Sequence, residues 1–207
     1  MKYVEIVGGL LLNPREYTRL VTREKNPFIQ GLFTVILTSL GVSFLSSAVV
    51  WKLMPIWIRL MGFSLAGAPY VYMAIQMLIP TIVLSSIICW ILWGTLTHFL
   101  ARALGGGAEL TSFLGLFGYS WATQFLILLA LFFFPLYPPA TLYLIPFAVV
   151  GSFIWALYVN IHVVEELYIL PRKEAVIATL APPLTLTILY IFFILIQYTL
   201  SLTEVLL

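Results

Sequence analysis

Two short stretches hold most of the side chains able to do chemistry. In THFLARALGGGAE, His98 and Arg102 stand four residues apart, and in NIHVVEELY, His162 precedes Glu165 and Glu166 by three and four, so each set falls on one face of a helix. Two imidazoles, a guanidinium and two carboxylates can share protons or pair as ions. The expectation is an ion pair between Arg102 and Glu165 or Glu166 with the histidines as hydrogen-bond partners, because half-buried charges need partners. A metal held by His98, His162 and a carboxylate is chemically open, but no ligand spacing specifies it, so neither a metal nor a cofactor is expected. HVVEE superficially resembles an inverted zinc-protease motif, yet a glutamate stands where the second histidine belongs. With no HExxH, GxSxG or Walker loop, and no aspartate anywhere, no catalytic residue is assigned and a non-enzymatic protein is expected.

The elements that must position these groups follow from composition. The chain is 62% hydrophobic and 9% charged, too little polar surface to cover a water-soluble globule. It must live in lipid, where each backbone amide is satisfied within its own segment, so uncharged runs of about 20 residues read as transmembrane helices. Five are expected, at about 28–50, 71–97, 112–134, 141–163 and 183–203, giving an all-α polytopic integral membrane helix bundle. FPLYPPA supplies the turn between the third and fourth, and the uncharged stretch between Glu109 and Glu165 is long enough for both. The second run can continue as helix to Leu104, where GGG at 105–107 stops it, with Thr111 or Ser112 capping the third. Pro182 and Pro183 release carbonyls around Ala178 and Thr179, so PRKEAVIATLA is expected as an interfacial helix preceding the fifth span. The apolar stretch between the first two spans, with Trp51 and Trp57, is expected along the outer interface.

Residues 1–27 form the expected cytoplasmic N-terminal segment, which lacks the cleavage site of a removable signal peptide. In NPREYTRLVTREKNPF, Asn13, Pro14 and Glu16 have the pattern of a helix start. A short amphipathic helix to about Lys25 would carry Arg15, Arg19 and Arg23 on one face and Tyr17, Leu20 and Val21 on another, lying flat on the membrane surface. With the N-terminus inside, Lys2, Arg15, Arg19, Arg23, Lys25, Arg102, Arg172 and Lys173 share the inner side and only Lys52 and Arg59 the outer, which sets a cytoplasmic N-terminus and an extracytoplasmic C-terminus. The expected partner of Arg15, Arg19, Arg23 and Lys25 is the anionic inner leaflet, with an acidic cytosolic protein as the sharper alternative. A net charge of +2 does not suggest nucleic acid.

No ionisable side chain is expected near the middle of a span, which weakens an ion-coupled carrier. A small permease or lipid-handling protein, with a pathway between spans two, four and five, stays as the alternative to a scaffold. Small residues fall on single helix faces at Ser39, Ser43 and Ser47, at Gly115 and Gly118, and at Ala148, Ser152 and Ala156, marking close helix contacts within the bundle or between copies of the chain or other membrane proteins. Gln76, Gln124, Asn160 and Gln197 are expected to hydrogen-bond between helices. Cys89, the single cysteine, forms no internal disulfide.

Three stretches, NPREYTRLVTREKNPF, WGTLTHFLARALGGGAELTSFLGLFGYSWATQF and WALYVNIHVVEELYILPRKEAVIATLAPPL, together resemble a prokaryotic-type member of the Yip1 domain family over about residues 13–198. The resemblance implies five spans with a cytosolic N-terminus, a place in the cell membrane of a prokaryote, and, in eukaryotic relatives, organisation of vesicle membranes and contact with small GTPases. Those relatives carry DLYGP and GYxxxP. Here Gly118 and Tyr119 match the start of the second, Thr123 takes its proline position, and DLYGP is absent.

Overall fold

The computed structural model describes residues 3–21, 26–60 and 68–206, so the expected surface roles of Arg23 and Lys25 lie outside the described residues. The elements are α1 (Tyr3–Leu12), α2 (Pro14–Val21), α3 (Pro27–Leu60), α4 (Ala68–Ala103), α5 (Leu110–Tyr119), a 3-10 turn (Ser120–Gln124), α6 (Phe125–Phe132), α7 (Pro138–Tyr168) and α8 (Arg172–Leu206). Five helical runs are long and apolar enough to cross a membrane: Pro27–Met54, Ile75–Ala103, Leu110–Phe132, Tyr143–Tyr168 and Arg172–Gln197. The architecture is the expected membrane helix bundle.

Its centre is the third run, the most buried of the five. Glycine places it there. A Cβ on Gly31 would lie 2.2 Å from the Gly115 carbonyl oxygen, one on Gly115 2.4 Å from the Pro27 backbone, and one on Gly118 2.6 Å from the Gly31 backbone. Gly115 and Gly118 therefore mark a contact inside the bundle, with Gly31 as the counterpart that the sequence pattern did not single out. In lipid such backbone approach, more than apolarity, draws helices together. Ser39, Ser43 and Ser47 are buried on α3, and Ser152 is buried on α7 between half-buried Ala148 and Ala156. Ser43 donates back to the Leu40 carbonyl at 3.0 Å, while the Ser39 and Ser47 hydroxyls have no partner among the described residues.

Several expectations are corrected. The third run is not one regular helix: the 3-10 turn divides it into α5 and α6. Thr111 and Ser112 do not cap α5, whose N-cap is Glu109 with no side-chain bond. Helix α3 runs on to Leu60 instead of turning along an interface at residue 51, and 61–67 lie outside the described residues. Helix α8 is continuous through Pro182 and Pro183. Pro183 has no N–H for the Thr179 carbonyl, and the Trp93 indole on α4 donates to that oxygen instead, at 3.3 Å. The broken helical bond is thus made good by a neighbouring helix. Of the amides expected to bond between helices, Gln76 and Gln197 are exposed and Asn160 is buried without a partner among the described residues. Gln30, from outside that set, accepts from the Tyr119 hydroxyl.

Candidate functional site

The polar groups gather where α2, α4, α7 and α8 meet, here termed the charged end. Helix α2 is tied down by its own sequence. Pro14, Thr18 and Val21 recur at helical spacing and are buried, and the Asn13 side chain donates to Glu16 at 2.7 Å. Burial of that face against α1 and α7 turns Arg15 and Arg19 toward the end of α7. Arg15 pairs with Glu165 at 2.9 Å and Arg19 with Glu166 at 2.6 Å. The two spacings match: four residues on α2 answer adjacent residues on α7, so the guanidinium pair forms a two-point clamp.

This corrects the expected ion pair. Arg102 is exposed and joins neither glutamate; among the described residues it forms no ion pair. The reason is geometric, since α2 packs directly on the face of α7 that carries both carboxylates, nearer than the last turn of α4. The short helix packs on the bundle through Pro14, Thr18 and Val21, and Leu20, expected on its apolar face, is exposed where Thr18 is buried. The arginine side chains remain 51% and 74% exposed against 19% and 15% for the glutamates, so each pair has a dry carboxylate and a wet guanidinium. The cations keep a face turned outward.

The histidines serve separate contacts. His98 is buried, its Nδ1 2.5 Å from the Tyr168 hydroxyl, with Phe113 stacked on the imidazole and edge to face with the Tyr168 ring. His162 is buried and its Nδ1 sits 2.8 Å from the Tyr158 carbonyl of its own helix. Among the described residues no group of three or more His, Cys, Asp or Glu side chains could hold a metal.

Helix α1 is the feature that sequence reasoning missed. Ile6 and Leu10 are fully buried in the main core with Phe113, Leu116 and Val159. Tyr3 bonds Thr34 of α3 at 2.5 Å, and Trp155 of α7 donates to the carbonyl of Leu11 at 3.1 Å, supplying a C-terminal helix carbonyl with the donor it lacks. At ten residues α1 is too short to span, and Glu5 interrupts its apolar run; the available signal was Ile6 and Leu10 four apart.

The ends of α4 and α7 close in the same way. After α4, Gly106 N–H bonds the Ala101 carbonyl at 2.9 Å with Gly105 at φ 99°. After α7, Leu170 N–H bonds the Glu165 carbonyl at 3.2 Å with Ile169 at φ 57°. These are Schellman closures. The glycine expected to stop span two suits its position, whereas Ile169 is a branched residue in a left-handed conformation, held there because Leu170 beyond it is buried.

A family model described as the Yip1 domain matches residues 8–195, from within α1 to the far part of α8. Comparison with curated proteins and with solved structures finds no match.

Proposed function

The chain belongs to the Yip1 domain family, and from that premise we propose a non-enzymatic membrane protein that works as a scaffold, organising membrane or protein partners through helix contacts and through its basic end. The carrying observation is α8: from Leu184 to Gln197 every residue is exposed, on all sides of the helix. A helix exposed along this whole stretch presents a large surface to other molecules in the plane of the membrane. The outward faces of Arg15 and Arg19 add a cationic surface suited to an anionic inner leaflet, with Arg23 and Lys25 beside it in sequence. On this proposal the N-terminus is cytoplasmic, the C-terminus extracytoplasmic, and the membrane a prokaryotic cell membrane.

The test replaces Cys89 with serine and places single cysteines at Leu189 or Phe193. Oxidative crosslinking in native membranes is expected to give discrete protein adducts, to a second copy or to another membrane protein. Adduct-free chain at both positions, with crosslinking competence shown by a soluble thiol reagent, would refute the scaffold role of α8. The second reading is a small permease or lipid-handling protein with a pathway between α4, α7 and α8; the cavity of about 200 Å³ that adjoins α4 and α7 lies instead against the 3-10 turn and α6, with no α8 residue in its lining.

A further inference from the structure

At the end of the bundle away from the two salt bridges, α3 and α6 border an apolar pocket of about 380 Å³. Its depth in the membrane follows from helix length. α3 starts at Pro27 and reaches Lys52 about 38 Å later, farther than a hydrocarbon core about 30 Å thick, so Lys52 stands at the headgroup level of the leaflet opposite the charged end. One wall of the pocket is a single face of α3, where Leu45, Ala48, Val49 and Lys52 recur at helical spacing. The other is the end of α6 and the turn after it, with Leu131 and Phe134 buried against Val49. From Leu45 to Lys52 this lining extends about 10 Å along the helix. The pocket is thus a slot that begins among the acyl chains and ends at the headgroups.

The rim says what kind of head belongs there. Among the described residues that line the slot, Lys52 alone is charged. Its Nζ stands 5.6 Å from the centre of the Phe134 ring, which holds the ammonium against the pocket wall. Among the described residues no carboxylate pairs with it. A slot that is apolar below and cationic at its rim matches an amphiphile with a negative head. It also discriminates between lipids. A zwitterionic phospholipid brings an ammonium along with its phosphate, and no acidic residue in the described lining receives it, while Lys52 repels it as a like charge. A head whose only charge is its phosphate escapes that penalty. We propose that this slot holds one acyl chain of an anionic phospholipid, with the lipid phosphate paired to Lys52. On the topology proposed above this is an outer-leaflet lipid, separate from those at the Arg15 and Arg19 face.

The test uses phosphatidylglycerol and phosphatidylcholine that carry the same photoreactive diazirine in an acyl chain. The full chain is reconstituted in phosphatidylcholine vesicles with rising mole fractions of either photolipid, irradiated, and the adducts mapped by mass spectrometry. Labelling of the peptides holding Leu45, Val49 and Leu131 is expected to saturate with phosphatidylglycerol and to rise linearly with phosphatidylcholine, whereas labelling around Leu189 on α8 rises linearly with both. Lys52→Gln should raise the half-saturating mole fraction about fivefold, the factor for one cation beside an anionic lipid, and Lys52→Arg should keep the wild-type value. Ala48→Phe fills the slot, leaves Lys52 in place, and should abolish the saturable component. Lys52 and Ala48 are both exposed, so all three variants should unfold at the wild-type temperature. The proposal is overturned by pocket labelling that stays linear with phosphatidylglycerol, which makes the occupant ordinary bulk lipid, or by equal half-saturation in wild type and Lys52→Gln. It is also overturned if oleate displaces the label and unlabelled phosphatidylglycerol does not, which would give the slot to a free fatty acid. Crosslinking at α8 and lipid selectivity at Lys52 can fail independently, so this inference stands apart from the scaffold role.

Discussion

The two stretches of α8 on either side of Pro183 belong to one apolar run and behave oppositely. In the first, Ala175, Ala178 and Thr179 are buried in the bundle and the Thr179 carbonyl is held by Trp93. In the second, from Leu184 to Gln197, large residues stand exposed on every side. Both halves prefer lipid to water, so hydrophobicity cannot tell them apart. What differs is side-chain size and the proline-freed carbonyl: alanine lets backbones approach, the Thr179 carbonyl offers an acceptor to Trp93, and the bulky leucine, isoleucine and phenylalanine side chains that dominate beyond Pro183 keep backbones apart. The same contrast separates α5, seated on Gly31 through Gly115 and Gly118, from the outer faces of the bundle.

The contrast breaks most sharply at glycine. Gly115→Leu would press a side chain into the Pro27–Phe28 backbone and should cost about 3 kcal/mol, while Leu189→Ala on exposed α8 should change stability by less than about 0.5 kcal/mol. Thermal unfolding in one detergent compares them, and similar losses at both sites would refute the packing argument. Next in size, Trp93→Phe should cost about 2 kcal/mol by leaving the buried Thr179 carbonyl without its donor. Pro183→Ala in the same background restores a backbone N–H for that oxygen and should recover part of the loss.

The clamp at the charged end ranks third. Glu165→Gln with Glu166→Gln should loosen α2 by about 1 kcal/mol per pair, less in high salt, read as faster protease cleavage between Val21 and Asn26. Arg102→Gln should leave that cleavage rate unchanged; equal acceleration would restore the expected role of Arg102. The smallest effect is expected at the two helix closures. Ile169→Gly should stabilise by about 0.5 kcal/mol, relief of left-handed strain partly offset by glycine's freedom in the unfolded chain, whereas Gly105→Val should destabilise.

Legibility in the sequence followed the range of the interaction. The glycine stop at Gly105, the prolines around Pro138 and the small-residue faces at Gly115 and Gly118 act within a few residues or through one helix face, and each could be read directly. The partners of Glu165 and Glu166 could not. Arg102 and Arg15 carry the same charge, and choosing between them requires knowing that Pro14, Thr18 and Val21 bury α2 against α7, some 150 positions away along the chain. Trp121 was invisible for the same reason: a tryptophan in an apolar run looks alike whether or not its N–H finds a carbonyl.

Composition and charge placement alone determined that this chain is a bundle of five lipid-crossing helices, because hydrocarbon leaves the backbone no other way to satisfy itself over such runs. Tertiary structure decided which helices touch, which cation meets which carboxylate, and which tryptophan finds a carbonyl on another helix. Those outcomes depend on distances of a few ångströms between segments far apart in sequence, and local pattern holds no record of them.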